Sequence, residues 1–255
     1  MKFANKIKAD LLCIISEMSQ SLWLFSQNPK TDFSRKRKLE FSSLLYLYIS
    51  METRIVRDEL LKYFSYDAKI ILNAAFFQQR EKLLPETFLF LFQQFDELSR
   101  CTLYKNKYQL LACDGSSFAY TRNLFDEECY FSSNKKSANG YNQVHRVALF
   151  DILSKRYCDC IVHPIWRKNE FQALYELIER DEAMSGSTPI FITDHWFWSY
   201  NIFVHAMEHN AYFLIRAKDI NTQRLLGKDM SSDWDSFDIS INWILTRSGS
   251  KKNRL

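Results

Sequence analysis

Two apolar runs in this chain each stop on an aspartate. "QLLACDGSS" ends its run at Asp114, and "PIFITDHWFW" ends its run at Asp194. A short buried strand that closes on a carboxylate places that group at the rim of a sheet, where open sheets hold their ligands. If the two strands are parallel neighbours, both carboxylates emerge at one edge. Two carboxylates that close repel, and both stay ionised only with a cation between them. Hard oxygen donors favour Mg²⁺ or Mn²⁺, which keep water and substrate phosphate in their other positions. Two such ions about 3.5–4 Å apart can clamp the attacking and leaving oxygens of a phosphodiester. A plainer reading stands beside this one, because Asp114-Gly115-Ser116 is also good turn chemistry.

The elements that would position these acids follow from hydrophobic spacing. From residue 103 onward the pattern is short and alternating. "QLLACD", "YNQVHRVALFDIL" and "YCDCIVHPIW" read as strands separated by polar turns. "NEFQALYELIERDE" is an amphipathic helix with Phe171, Leu174, Tyr175 and Ile178 on one face and Asn169 as its N-cap. "PIFITD" is a strand, "SYNIFVHAMEHN" a helix with Ile202, Val204 and Met207 inward, and "AYFLIRAKD" a strand. The order β-β-β-α-β-α-β predicts a mixed sheet: directly joined strands pair antiparallel, and helical crossovers give parallel pairing. The fold class is therefore α+β or α/β.

Before this lies a helical stretch. "KLEFSSLLYLYISM" places Leu39, Leu44, Leu45, Tyr48 and Met51 at helical spacing. "TRIVRDELLKYF" and "DAKIILNAAFFQQREKLL" suggest two more helices, and "PETFLFLFQQFDELSR" a fourth, with Pro85 in its first turn. These predict a small bundle. At the other end, "WDSFDISINWILTRSGSKKNRL" alternates Phe237, Ile239 and Ile241 with Asp238, Ser240 and Asn242. It reads as a hairpin that begins and is cut short, so the chain is expected to be incomplete.

Composition limits the alternatives. The 255 residues are 47% hydrophobic and 25% charged, enough for a buried core. Six cysteines show no even spacing, and no export signal precedes them, so reduced intracellular thiols are expected. No run is long and apolar enough to span a bilayer, and no membrane partner is expected. A net charge of +4 is compatible with a nucleic-acid partner without requiring one.

Several basic and polar groups could meet DNA. Arg35, Lys36, Arg37 and Lys38 form one run, suited to phosphates or to a solvated helix entrance. Gln78, Gln79, Arg80 and Lys82 suit base edges if their helix docks as in a helix-turn-helix, or they make an ordinary polar face. Lys135, Lys136, Asn142, His145 and Arg146 cluster around the second strand and could line a DNA path or a charged hairpin. Arg216 and Lys218 alternate near the proposed site. Cys158, Cys160 and His163 lack zinc-knuckle spacing and read as core. No histidine shows a triad companion, and Ser116 lacks a nucleophile elbow. Trp196, Phe197 and Trp198 could stack on an unpaired base or pack on the sheet.

Taken in order, "LLACDGS", "GYNQVHRVALFDILSKRYCDCIV" and "FITDHWFWSYNIFVHAMEHNAYFLIRAKD" resemble the DDE transposases of bacterial insertion sequences of the IS-four type. "FSRKRKLEFSSLLYLYISM" and "NAAFFQQREKL" resemble that family's leading helical region. The resemblance implies a ribonuclease H-like core at 103–225, a helical DNA-binding region at 1–102 and the start of a β-rich insertion at 226–255. It implies metal-dependent cleavage of DNA at terminal inverted repeats and strand transfer, with Asp114 and Asp194 as catalytic metal ligands and Mg²⁺ or Mn²⁺ as cofactor. Double-stranded DNA is the implied partner, with a homodimer on DNA as one arrangement, in the bacterial cytoplasm at the nucleoid. It favours Lys218 as a phosphate contact. Where the family has Arg after its second Asp, this chain has His195. The family's third acid, a Glu, has no counterpart here, so impaired activity is expected. The alternatives are a catalytically dead fragment that occupies transposon ends or pairs with the full-length enzyme, and an unrelated metal nuclease.

Overall fold

The computed structural model describes residues 2–52, 54–67, 72–98, 101–135, 137–180, 187–216 and 240. The hairpin expected at 234–255, Lys136 and Lys218 fall outside the described residues, Ser240 apart. Two compact units divide the chain, residues 1–99 and 100–255. None of the described helices is long and apolar enough to cross a membrane.

The first unit is helical. It contains α1 (Lys2–Gln20), α2 (Phe41–Ser50), α3 (Val56–Tyr63), α4 (Asn73–Arg80) and α5 (Glu86–Glu97). Ile14, Ile15 and Met18 of α1 meet Leu44 and Leu45 of α2, Leu60 of α3, Phe76 of α4 and Leu91 of α5 in one core. Each helix supplies a narrow apolar stripe, and the bundle exists because the stripes bury one another. The links are held by buried polar groups. Glu59, 3% exposed, accepts backbone N–H groups from Glu52 at 2.8 Å and Arg54 at 2.9 Å. Asp32 accepts the N–H of Asn28 at 2.8 Å and closes the turn ahead of the basic run.

The second unit is a six-stranded mixed sheet with two helices. Its strands are β1 (Tyr108–Tyr120), β2 (Tyr130–Phe131), β3 (Tyr141–Asp151), β4 (Arg156–Pro164), β5 (Thr188–Thr193) and β6 (Tyr212–Ile215). Helix α6 (Glu170–Arg180) links β4 to β5, and α7 (Tyr200–Glu208) links β5 to β6. β1 pairs antiparallel with β3 and parallel with β5, which pairs parallel with β6; β4 and β2 both pair antiparallel with β3. The two-residue β2 adds a strand to the expected order. It is too short to show any alternation in the sequence.

One sheet face carries the core. Leu111 and Cys113 of β1, Val147 and Leu149 of β3 and Phe191 of β5 pack against Ala173, Leu174, Leu177 and Ile178 of α6 and against Ile202, Phe203 and Ala206 of α7. Leu174, Ile178 and Ile202 are inward as expected, and Tyr175 packs against the core, but the edges of both faces differ. Phe171 is 37% exposed and Met207 65% exposed, while Ala173 and Phe203 are inward. Small Ala173 and Ala206 are fully buried where helix meets sheet, so close approach decides the inward face more than side-chain bulk does. Asn169 caps α6 as expected, its Oδ1 accepting the Gln172 N–H at 3.1 Å.

Asp151 fixes the β3–β4 corner. It is fully buried. Its Oδ1 accepts the N–H groups of Leu153 at 3.0 Å and Ser154 at 2.8 Å, and its Oδ2 accepts Gln109 Nε2 at 3.1 Å. One carboxylate thus ties the hairpin turn to the start of β1, the strand that carries Asp114.

Candidate functional site

The parallel pairing of β1 and β5 runs from Tyr108↔Thr188 to Cys113↔Thr193. Asp114 and Asp194 are the next residue on each strand. Registered neighbours on parallel strands lie about 4.8 Å apart, with side chains on a common face. Asp114 stays in β1, which continues to Tyr120 against β3. Asp194 ends β5 in an extended conformation and opens a 3-10 turn, its Oδ1 accepting the Trp196 N–H at 2.9 Å. Asp114 Oδ1 accepts the N–H of Gly115 at 2.8 Å. Both residues are exposed. The adjacency is a product of backbone register: β5 stops where β1 carries on, and both acids sit at that step.

The charge gathered here reaches the core. Burial pushes the Cys113 thiol up to about 12, and the nearby carboxylates of Asp114, Glu170 and Asp194 add to that rise. Glu170, the first residue of α6, is therefore a third acid in the neighbourhood. A Cβ added to Gly115 would lie 2.8 Å from Glu170 Oε1 and 2.9 Å from His145 Nε2. Gly115 leaves that space to the ends of the Glu170 and His145 side chains.

His145 lies between two partners. Its Nδ1 is 2.9 Å from Ser117 Oγ, and its Nε2 is 2.9 Å from Glu170 Oε1, off the line of a well-formed hydrogen bond. Burial holds the imidazole below its ordinary value against the opposing pull of Glu170. The tautomer sets the direction of the Ser117 bond: with the proton on Nε2, Nδ1 accepts the Ser117 hydroxyl. Ser117 and Glu170 are neighbours of His145 that the sequence does not show, and the Glu170 contact falls short of a hydrogen bond. Ser117 and His145 are direct cross-strand partners, a relation that only register reveals. His145 is 3% exposed. Its edges are occupied inside the protein, so a direct DNA contact is not available to it in this geometry.

The other candidates around the sheet separate. Arg146 points away from His145, as neighbours on a strand must. Its guanidinium lies 4.8 Å from the Phe118 ring centre and 4.9 Å from that of Tyr157. Asn142 is fully buried and holds the 120–128 link through Asn123 and Asp126, which makes it structural. Lys135 is exposed in the turn between β2 and β3, and Arg216 is exposed just after β6. Trp196 is 64% exposed, Phe197 is buried, and Trp198 packs on the core. Cys158, Cys160 and His163 lie along β4.

In the helical unit, Arg35, Lys36, Arg37 and Lys38 occupy the link before α2 and are exposed. Lys38 pairs with Asp67 at 3.8 Å. Gln78 and Arg80 lie on the outer face of α4, whereas Gln79 is 4% exposed and cannot read a base edge. Lys82 follows the helix and bonds Gln79 Oε1 at 3.2 Å.

Two exposed oxygen-donor side chains on one rim suit a hard divalent cation that takes its remaining ligands from water and phosphate. Among the described residues, no group of three or more His, Cys, Asp or Glu is arranged to hold a metal ion.

No family model matches the chain, and neither does any curated protein. Among solved structures it is similar to a piggyBac transposase in a synaptic complex with hairpin DNA, with a TM-score of 0.41 and 12% identity. That match covers 78% of this chain, which spans 48% of the length of the piggyBac chain.

Proposed function

We propose that this chain is a DDE-type transposase-like protein of the IS-four kind, whose sheet unit is a ribonuclease H-like core acting on DNA. The observation that supports the reading is the parallel register of β1 and β5, which ends at Cys113↔Thr193, one residue before Asp114 and Asp194. The topology supports it: a central β1 with antiparallel strands on one side, parallel strands on the other, and helical crossovers between the parallel ones.

In this reading Asp114 and Asp194 hold a Mg²⁺ or Mn²⁺ ion at the sheet rim. A bound divalent ion supplies Lewis-acid polarisation of the scissile phosphate and a lowered water pKa. Asp194 Oδ1 is held by the Trp196 N–H, which steadies that carboxylate. The rigid backbone of β1, paired on both edges up to residue 113, keeps Asp114 in place. Arg216, beyond β6, is a phosphate contact. With two acids the site is weak, so the reaction is slow. The setting is DNA in a bacterial cytoplasm. A second reading, DNA binding without cleavage, is favoured by the lack of a third metal-holding residue among those described.

The test is Mn²⁺-dependent nicking of supercoiled DNA by the wild type, Asp114→Ala and Asp194→Ala. Loss of an outer-sphere partner of a metal typically costs ~10–100-fold, and loss of either direct ligand is expected to cost at least the upper end of that. Equal nicking by wild type and both variants sinks the catalytic assignment. DNA binding with no nicking by any of the three supports the second reading.

A further inference from the structure

The basic residues of the helical unit do not simply line a surface. Lys30, Arg35, Arg37 and Lys82 open onto one cavity of about 270 Å³, with Phe33 and Gln79 also in its wall. No acid lines it. Among the described residues, none of the four cations is in an ion pair. Four like charges around one hollow repel each other unless an anion joins them.

The cavity is built rather than incidental. Asp32 is 9% exposed and ties the turn at Asn28, and Ser34 Oγ donates to the Thr31 carbonyl at 2.7 Å. Phe33 takes a left-handed backbone, φ 54°, an uncommon conformation for a bulky side chain, held here by the turn bonds on both sides. Lys82 Nζ is held by the buried amide oxygen of Gln79 and lies 5.7 Å from the Phe33 ring centre. Fixing this half-buried lysine costs side-chain entropy, on the order of 1.5–2 kcal/mol, which an anion in the cavity would offset. At ~30 Å³ per water, the space suits a tetrahedral oxyanion with part of its hydration.

We propose that this cavity grips a single backbone phosphate of double-stranded DNA. Exposed Lys36, between Arg35 and Arg37, and exposed Arg80, next to Gln79, extend the positive surface past the opening, which suits a polymer better than a free anion. The choice of DNA rests on the proposed function. The cavity lies in the other unit from the aspartates, so the two readings fail separately.

The experiment measures anisotropy of a fluorescein-labelled duplex against the full chain across a salt series. Arg35→Gln/Arg37→Gln is compared with Lys6→Gln/Lys8→Gln, which removes the same charge from exposed positions of α1. Loss of one phosphate contact flattens the slope of log affinity against log salt by about 0.9. The cavity double variant is expected to flatten it by about that amount, since both arginines hold one phosphate, with affinity down roughly tenfold at moderate salt. The α1 variant is expected to change neither. An equal loss in both double variants overturns the cavity in favour of general charge. Unchanged DNA binding, with inorganic phosphate raising the melting temperature of the wild type alone, overturns DNA as the ligand. The anisotropy measurement uses no variant of the aspartates, so a failed nicking assay leaves it intact.

Discussion

The two units bring functional groups together by different means. In the sheet unit, Asp114 and Asp194 each follow the last registered pair of two parallel strands, and Ser117 meets His145 because two antiparallel strands are in register. In the helical unit, the cations around the cavity come from a turn and from the end of α4, and buried side chains hold them there. Register is a repeating constraint that a whole strand enforces. A turn held by side chains depends on a few bonds. The sheet site should therefore tolerate the loss of single surface groups, and the helical cavity should not.

Each unit nevertheless contains one buried carboxylate that holds backbone N–H groups, and these two acids give the most direct comparison. Asp151 serves two amides and the Gln109 side chain, whereas Glu59 serves two amides. Asp151→Ala removes the acceptor of two half-buried hairpin amides, of the buried Gln109 side chain and of the Cys101 thiol. At about 1–3 kcal/mol for a buried unsatisfied group and less for amides that water reaches, a loss of about 3 kcal/mol is expected, at the upper end of what single substitutions usually cost. Chemical denaturation read by near-ultraviolet circular dichroism would measure it. A loss under about 1 kcal/mol would mean that β3–β4 pairing alone fixes the corner.

Glu59→Ala should cost about 2 kcal/mol by the same reasoning and should act on the helical unit. Limited proteolysis distinguishes the two variants. Asp151→Ala should expose cleavage sites within 101–216, and Glu59→Ala within 2–98. Cleavage of both segments in either variant would show that the units unfold as one body, and the comparison would then lose its basis.

The sheet unit is more legible in the sequence than the helical one, for the same physical reason. Strand ends are marked by a change from apolar to polar residues, so Asp114 and Asp194 stand out as candidates without any knowledge of pairing. The cap at Asn169 and the helical character of 170–180 are equally plain. Cross-strand relations are not visible: nothing local in "SSFAY" or "QVHRV" says that Ser117 opposes His145, or that Glu170 lies against Gly115. The cavity cannot be assembled from periodicity, because Lys30 and Lys82 meet only after the turn and α4 pack together. Asn142 and Gln79 show the same limit. Both are polar residues with plausible surface roles, and both are buried to serve structure.

The smallest expected effect tests whether the Ser117–His145–Glu170 contact belongs to the fold. Burial lowers the folded-state value of His145 below its ordinary 6.5. The folded protein thus binds fewer protons than the unfolded chain between the two values, and stability rises with pH across that window. The contribution is complete above about 6.5 and is lost as pH falls through the lowered folded value. The wild type should lose melting temperature on acidification below 6.5, and His145→Gln should lose less over the same range, since its amide does not titrate. Background carboxylate titration is common to both proteins and cancels in the difference. Parallel curves for the two would mean that the imidazole stays solvated enough to titrate normally, and that Glu170 approaches β1 through the space at Gly115 alone.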